Sequence, residues 1–254
     1  MKITFLGTGT SQGIPVINSK HPVCLSNDKR DKRLRVSILV EWDNYTYVVD
    51  CGPDFRYQML RANVCAINGV LFTHEHSDHT AGLDDLRPYS FQMGGVPIYA
   101  QQRVLVNLSK RFDYIFIDEN KYPGAPSVQQ NVLENNPFLL GNIKVTPVEV
   151  NHGKLKIFGY RFKDMAYLTD VKSIDAVEKE KLKNLNVLII NAIRYKPHDS
   201  HLNLEEALTL IDELKPKKTY LTHISHHLGF HSEVERTLPE NVFLAYDELV
   251  IEVN

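Results

Sequence analysis

The sequence has little of what marks secreted, membrane-spanning or nucleic-acid-binding proteins. It holds three cysteines in 254 residues, without the spacing of a disulfide framework, so we expect a reducing, cytoplasmic location. No apolar run approaches the roughly 18 residues of a membrane helix, and glycines interrupt the apolar N-terminal stretch so early that we expect a first strand rather than a signal peptide. The formal net charge of −2 gives no general attraction to nucleic acid or membranes, so we expect neither as a partner.

What the sequence does contain is a dense cluster of metal-binding side chains. Residues 73–79 read Thr-His-Glu-His-Ser-Asp-His, directly after a short apolar run. The four candidate ligands are His74, His76, Asp78 and His79. A continuous helix cannot aim all four at one point, whereas a strand that ends in a tight turn can. Because imidazole with carboxylate suits Zn, Mn or Fe better than Ca or Mg, we predict a transition-metal site.

Three further candidate ligands each come after an apolar, β-rich run elsewhere in the chain. They are His152, Asp170 and His223. In α/β folds, functional groups collect at strand ends and in the loops that follow, so we expect these residues to converge on the first cluster.

Seven ligands are too many for one ion but can serve two if a carboxylate bridges them. We assign His74, His76 and His152 to the first metal, Asp78, His79 and His223 to the second, and Asp170 to a position between them. Two divalent transition-metal ions, Zn or Mn, are therefore the expected cofactors.

These motifs resemble the metallo-β-lactamase-fold hydrolases, whose signature is His-x-His-x-Asp-His followed by separate His, Asp and His ligands. Within that superfamily the sequence is most similar to the PhnP-like phosphodiesterases, which open cyclic phosphates of ribose. The segments that carry this likeness are 7–15, 33–37, 50–56 and 82–87. The resemblance covers essentially the whole chain. It implies one domain over residues 1–254, with the α/β, four-layer αββα sandwich of the metallo-β-lactamase fold.

Patterns of apolar residues predict the elements along the chain. We expect strands near 2–6, 35–41, 45–49, 69–72, 97–100, 143–149, 155–162, 165–169, 187–191, 218–222, 242–245 and 248–253. We expect helices near 54–62, 101–112, 173–184 and 203–214, the last capped by Asn203 with Glu206 three residues on. Residues 113–142 are the least regular, and a flap over the site and ordinary packed surface are both open interpretations.

His201 and Asp78 are the residues to which we assign catalytic roles, Asp78 also being a ligand. The resemblance implies that a histidine at the place of His201 assists phosphoester cleavage, and the matching motif is Ser-His-Leu-x-Leu-Glu-Glu-Ala at 200–207. His201 would stabilise the phosphorane oxygens or protonate the leaving alkoxide. It lies just before a helix whose N-terminus favours anions. A histidine that only hydrogen-bonds in its loop is the structural alternative, and His198 is the second candidate.

Two acidic residues after the third strand invite a catalytic interpretation, but we expect supporting roles. Asp50 is predicted to accept a hydrogen bond that orients a metal-bound imidazole. Asp54 is predicted to cap the helix that begins after it.

One departure from the PhnP-like pattern concerns a further, structural zinc. The resemblance implies a zinc held by a cysteine-rich cluster near the N-terminus and by one distant histidine. The good donors that remain at these positions in this sequence are His21, Cys24 and His226. A structural zinc needs four good donors. His227 or His231 could complete the shell, but the loss of thiolates argues against an occupied site.

The sequence thus predicts a dinuclear metal-dependent phosphodiesterase, in which a metal-bridging hydroxide hydrolyses a small phosphodiester such as a cyclic ribose phosphate. Three alternatives are retained: a tRNA 3′-processing nuclease, a lactonase or thioesterase of the same fold, and a non-catalytic metal-binding accessory protein. The nuclease would need a basic arm to hold RNA, and no such insertion is evident. Whether the chain forms a homodimer is left open.

Overall fold

Two mixed sheets of seven strands each organise the part of the chain that the structure describes. The structure, a computed structural model, describes residues 1–117, 119 and 121–253. The first sheet has the order β14-β1-β2-β3-β4-β5-β6, with β1 (Lys2–Gly7), β2 (Ser37–Trp42), β3 (Tyr45–Val49), β4 (Gly69–Leu71), β5 (Val96–Ala100), β6 (Val128–Val132) and β14 (Val250–Glu252). The second has the order β13-β12-β11-β10-β9-β8-β7, with β7 (Phe138–Leu140), β8 (Ile143–His152), β9 (Leu155–Phe162), β10 (Met165–Leu168), β11 (Val187–Asn191), β12 (Lys218–Thr222) and β13 (Val242–Leu244).

Strands β3 to β6 of the first sheet and β10 to β13 of the second run parallel to their neighbours in these sets. β11 reads Val-Leu-Ile-Ile-Asn with every residue buried, and it pairs in parallel with β10 and β12. Such continuous apolar runs are expected where helices cover the outer face of a parallel sheet. One apolar cluster lies between the sheets and includes Val40 and Leu71 of the first and Tyr160 and Ile189 of the second.

Helices cover the outer face of each sheet. The α-helices are α1 (Pro22–Leu25), α2 (Phe55–Arg61), α3 (Ser77–Thr80), α4 (Arg87–Met93), α5 (Gln102–Arg111), α6 (Asp113–Phe116), α7 (Ala176–Glu180), α8 (Leu204–Leu214) and α9 (His231–Val234). Single 3-10 turns span Lys29–Asp31, Leu83–Leu86, His226–Leu228 and Glu235–Thr237. Residues of α2, α4 and α5 share an apolar cluster with the first sheet, and those of α8 share one with the second. The predicted αββα sandwich is confirmed.

The most regular predicted helix begins and ends as its sequence indicates. The side chain of Asn203 accepts a hydrogen bond from the Glu206 amide, while the Glu206 carboxylate accepts one from the Asn203 amide. This capping box satisfies donors that would otherwise be unpaired at the start of α8. Lys215 ends the helix in a left-handed conformation, directly before Pro216.

Two sequence predictions about local structure are wrong. Residues 113–142 are not irregular, because they contain β6, which pairs in parallel with β5, and β7, which pairs antiparallel with β8. This segment therefore connects an edge of one sheet to an edge of the other; its residues 118 and 120 lie outside the described part. The helix expected at 173–184 is only five residues long.

Among the described residues, none of the helices has both the length and the apolar character needed to cross a membrane.

Candidate metal centre

The predicted ligands lie where strands of both sheets end. β4 is followed by the ligand loop, which we define as residues 73–79, and β8 ends at His152 itself. Asp170 and His223 come directly after β10 and β12. Parallel neighbouring strands end on the same side of a sheet, so side chains that follow them can meet.

The backbone is left-handed directly after β3, β10 and β12. Asp50, Asp170 and His223 have φ values of 66°, 59° and 52°. Such conformations are uncommon outside glycine, although Asp and His adopt them more readily than most residues. Each turns the chain sharply at the point where the functional side chain is presented, and backbone strain of this kind concentrates at functional sites.

The side chains of the seven predicted ligands form compact groups. The ligand atoms of His74, His76 and His152 all lie within 4.8 Å of one another, and so do those of Asp78, His79 and His223. We call these groups the first and second triads. They are the same two sets that the sequence assigned to two metals.

Asp170 lies between the triads. Its Oδ1 atom is 3.4 Å from Nε2 of His79 and 3.3 Å from Nε2 of His223, both in the second triad. Its Oδ2 atom is 3.9 Å from Nε2 of both His74 and His152, in the first triad. Burial alone would raise the pKa of Asp170, but His223 and His79 hold this pKa well below its usual value. One carboxylate oxygen therefore faces each triad.

The donor set fits a pair of transition-metal ions. Nε2 of His79 and both ring nitrogens of His223 are buried and have no hydrogen-bond partner among the residues that the structure describes. An unpaired buried polar group costs roughly 1–3 kcal/mol, so such atoms need an explanation. Imidazole nitrogens and carboxylate oxygens are preferred ligands of Zn and Mn.

The outer nitrogens of the imidazoles are fixed by neighbouring groups. Nδ1 of His79 donates to Oδ2 of Asp50 at 2.7 Å, as predicted, and Asp50 also accepts from the Thr73 amide at 2.8 Å. Nδ1 of His152 donates to the Ser200 carbonyl at 2.8 Å. Such contacts set the orientation of the inner nitrogens. A Cβ on Gly52 would overlap the carbonyl oxygen of Asp78, so glycine is required where the chain after Asp50 passes the ligand loop.

Asp54 occupies the N-cap position of α2 but does not cap the helix through its side chain. Its carboxylate instead accepts from the Arg35 amide at 2.8 Å and pairs with the Arg35 guanidinium at 3.3 Å. The cap prediction is therefore wrong, because a charged partner across the neighbouring loop captures the carboxylate.

Two arginines of α5 hold the ligand loop from outside, and sequence reasoning missed both. Arg111 donates to the Glu75 carbonyl at 3.0 Å and to Oγ1 of Thr80 at 2.9 Å. Arg103 pairs with the Glu75 carboxylate and donates to the Lys156 carbonyl at 2.8 Å. Arg103 thus connects the ligand loop to β9, the partner of the strand that ends at His152. No local pattern marks these residues, since their contacts span about 30 positions or more.

His201 lies inside the cleft at the centre of the site. Its Nε2 atom is 3.1 Å from Oδ2 of Asp170, and its ring stacks on His223 at 4.9 Å with 15° between the planes. Because a carboxylate only accepts, Nε2 of His201 must carry the proton of this bond. Burial lowers the pKa of His201 to about 4, although the bond to Asp170 acts in the opposite direction. The second candidate, His198, lies beside it, with 3.2 Å between the two Nδ1 atoms.

The cleft above the triads has a volume of about 480 Å³. Residues 10–12 of the glycine-rich loop line one side, and 193–200 contribute Ile193, Arg194, His198 and Ser200 on another. The described residues of 113–142 do not line it, which favours packed surface over a flap. The start of α8 is not suited to bind an anion. The capping box already pairs the amides of Asn203 and Glu206, and the carboxylates of Glu205 and Glu206 occupy the first turn.

The predicted donors of a structural zinc are near one another but do not form a compact group among the described residues. The rings of His21 and His226 lie 4.9 Å apart. Nδ1 of His21 accepts from the Val23 amide at 3.3 Å. Nδ1 of His231 lies 3.2 Å from the guanidinium of Arg33, so this nitrogen is already engaged.

A family model and a solved structure both place the chain in the same superfamily. The model of the "Beta-lactamase superfamily domain" matches residues 45–224. A crystal structure of a diphosphatase from the PhnP family superposes with a TM-score of 0.93 and 40% identity, covering 100% of this chain and 98% of that one.

Two curated relatives match over part of their own length. The octanoyltransferase of Porphyromonas gingivalis is 40% identical over 252 residues, which are 98% of this chain and 51% of that protein. The ribonuclease Z of Pyrobaculum islandicum is 26% identical over 194 residues, which are 73% of this chain and 54% of that protein. The chain thus spans about half the length of these relatives.

The sequence resemblance is therefore confirmed by the family match, by the sandwich fold and by the near-complete superposition on a PhnP-family structure. The chain belongs to the β-lactamase superfamily of metal-dependent hydrolases, in its PhnP-like branch.

Proposed function

We propose that this protein is a dinuclear metal-dependent phosphodiesterase that acts on a small substrate, such as a cyclic phosphate of ribose. The observation that carries the proposal is the position of Asp170, which turns one carboxylate oxygen to each of two complete triads. A site for one ion would not need a second set of three donors.

In this proposal the first triad would hold one Zn or Mn ion and the second triad another, and Asp170 would serve both sites. When bound, such a pair lowers the pKa of a water molecule and offsets negative charge on a phosphoryl group. Asp78 contributes charge as well as a ligand atom: burial alone would raise its pKa, but His79 and His223 hold this pKa well below its usual value. The carboxylate is therefore ionised at any pH at which the fold operates.

His201 supplies a hydrogen-bond donor for the substrate. Its Nε2 proton is donated to Asp170 in this structure and would be released to a substrate oxygen when the Asp170 carboxylate serves as a ligand. The buried ring stacks on His223, which limits its rotation. A donor held in this way stabilises a phosphoryl oxygen as negative charge develops on it.

The size of the cleft supports a small substrate. Its volume of about 480 Å³ falls within the usual range for small-molecule sites. No Lys/Arg-rich insertion of the kind that would hold RNA is evident in these 254 residues, so we do not propose the ribonuclease activity named for the Pyrobaculum relative. We also do not propose acyl transfer, the activity for which the Porphyromonas octanoyltransferase is named, because the matched residues account for only 51% of that protein.

The proposal is tested by a substrate panel on protein loaded with Zn or with Mn. We expect cleavage of a bis-aryl phosphodiester and of a ribose cyclic phosphate to exceed that of a phosphomonoester, a lactone and a thioester. Asp170→Asn should abolish this activity, while Asp212→Asn, an exposed change on α8, serves as the matched control. Lactone or thioester turnover without phosphodiester cleavage would contradict the proposal and would show that the protein hydrolyses a carbonyl ester, as other enzymes of the same fold do.

A further inference from the structure

The carboxylate of Asp170 accepts hydrogen bonds on both of its oxygens from residues that are not proposed ligands. Oγ1 of Thr169 donates to Oδ1 of Asp170 at 2.7 Å, and Nε2 of His201 donates to Oδ2 at 3.1 Å. Because a carboxylate only accepts, the Thr169 hydroxyl must supply the proton of its bond. Each oxygen of Asp170 therefore has one donor and faces one triad.

The two donors constrain a torsion angle that is otherwise soft. The carboxylate of an aspartate rotates about its Cβ–Cγ bond in a broad, roughly two-fold well. Rotation would move Oδ1 away from Nε2 of His79 and of His223, which lie 3.4 Å and 3.3 Å from it. It would also turn Oδ2 away from the first triad. The arrangement of one oxygen for each triad thus depends on this single angle.

Thr169 is better placed than His201 to hold the carboxylate throughout a reaction. Its side chain is 1% exposed, so water does not compete for the hydroxyl. Thr169 also directly follows β10, which is bonded to β9 on one side and to β11 on the other, and the sheet therefore fixes its position. His201 lines the cleft, where a substrate oxygen can accept its proton instead. The bond from Thr169 then remains.

We propose that Thr169 is a positioning residue whose hydroxyl fixes the plane of the Asp170 carboxylate and keeps Oδ1 directed at the second triad. This inference rests on the proposed function, in which Asp170 serves two metal sites. Oδ1 has two lone pairs, so it can accept from Thr169 with one and serve the second triad with the other. Contacts that orient a ligand in this way typically change metal affinity 10- to 100-fold.

The test is chelator competition on the Zn-loaded protein, which measures the affinity for each ion without a substrate. Thr169→Val removes the hydroxyl and keeps the branched shape of the side chain. We expect one of the two ions to bind about 10-fold more weakly in Thr169→Val. Thr169→Ser keeps the hydroxyl and should restore most of this affinity. Unchanged affinities in Thr169→Val, or a loss of equal size in Thr169→Ser, would overturn the proposal.

His223→Ala identifies the ion concerned. This substitution removes a proposed ligand of the second triad and should eliminate one step of the competition curve. The step that Thr169→Val weakens should be the same one, because Oδ1 faces the second triad. Weakening of the other step alone would contradict the proposal.

A matched control removes an equally buried hydroxyl at a distance from the site. Thr219 is 1% exposed and lies near the start of β12, whereas His223 follows the end of that strand. Its Oγ1 atom has no hydrogen-bond partner among the residues that the structure describes. Thr219→Val should therefore leave both affinities as in the unmodified protein. An equal loss in Thr219→Val and Thr169→Val would assign the effect to packing of the second sheet and overturn the proposal.

This measurement separates the inference from the proposed function. If the unmodified protein cleaves no phosphodiester, the phosphodiesterase proposal fails, while the two metal affinities still decide the role of Thr169. If the protein cleaves phosphodiesters and Thr169→Val binds both ions as tightly as Thr219→Val does, the proposed function stands and the role of Thr169 is refuted.

Discussion

Nε2 of His201 donates a hydrogen bond to Oδ2 of Asp170 across 3.1 Å. A residue outside both triads is thus bonded to the carboxylate between them. In the proposed function, this contact would place His201 beside a substrate at the two triads, although His201 is not one of the seven proposed ligands. It also makes His201 the member of the site whose role can be separated from metal binding by mutation.

We expect His201→Ala to keep both metals and to lose activity by about 10²–10³-fold. Because burial lowers the pKa of His201 to about 4, the ring is neutral near pH 7 and donates a hydrogen bond rather than a proton. The loss should therefore be similar for an alkoxide and a nitrophenolate leaving group, measured as kcat on paired esters. A much larger loss on the alkoxide would establish proton transfer instead, and loss of metal would make His201 a ligand.

Asp170→Asn should reduce the metal content from two ions per chain to one or none. Replacing a carboxylate by an amide removes the charge that faces both triads, so we expect at least one ion to bind more than about 100-fold more weakly. Elemental analysis and competition with a chelator measure this change, with Asp212→Asn as the control. Full activity of the unmodified protein with one ion per chain would exclude the dinuclear proposal.

Arg111→Met should weaken metal binding without contacting a metal. The guanidinium holds the Glu75 carbonyl and Thr80 on the outer side of the ligand loop. Removing such outer contacts typically costs 10–100-fold in metal affinity, and we expect about 10-fold here. Lys110→Met, the exposed neighbour on α5, should leave the affinity unchanged. A lower melting temperature in Arg111→Met with unaltered metal affinity would assign the arginine to folding alone.

His231 should make the protein less stable in acid. Burial first, and then the charge of Arg33, lower the pKa of His231 to about 4, whereas the unfolded residue titrates near 6.5. Between these values the unfolded state binds more protons, so the free energy of unfolding decreases as the pH falls from about 6.5 towards 4 and is constant above that range. We expect His231→Gln to remove about 2 kcal/mol of this decrease between pH 7 and 4.5.

Denaturant unfolding at each pH, with metal held constant, measures the His231 effect. Arg236→Gln should keep the pH dependence of the unmodified protein. An identical dependence in His231→Gln would mean that other groups account for the acid lability.

The convergence of the seven proposed ligands was predictable because its signals are local. A buried strand reads as a continuous apolar run, and each run here is followed at once by a histidine or aspartate, as at His152 and His223. The sandwich followed from the same runs together with the resemblance. Helix α8 was predictable for the same reason, because the residues that begin and end it, Asn203 and Pro216, are adjacent to the helix in the sequence.

The parts that escaped prediction depend on contacts between distant residues. β6 reads Val-Gln-Gln-Asn-Val and is largely exposed, so nothing in its own sequence distinguishes it from a loop; pairing with β5 makes it a strand. The Asp54 carboxylate could cap a helix or pair with a cation, and only the fold brings Arg35 close enough to decide. The sequence alone shows Arg103 and Arg111 only as charged residues of a helix. Their contacts with the ligand loop become visible only in the folded structure.

The left-handed residues at the strand ends have a consequence for variation in this protein. At Asp50, Asp170 and His223, glycine would relax a backbone conformation that costs a residue with a side chain roughly 1–2 kcal/mol. The same replacement would remove a carboxylate or an imidazole from the metal centre. Laboratory evolution for heat resistance alone would therefore favour glycine at His223, whose ring nitrogens have no hydrogen-bond partner among the described residues. At Asp50 it would not, because glycine would leave the buried Thr73 amide and His79 ring unpaired. Selection for turnover would retain the strained residue at all three positions.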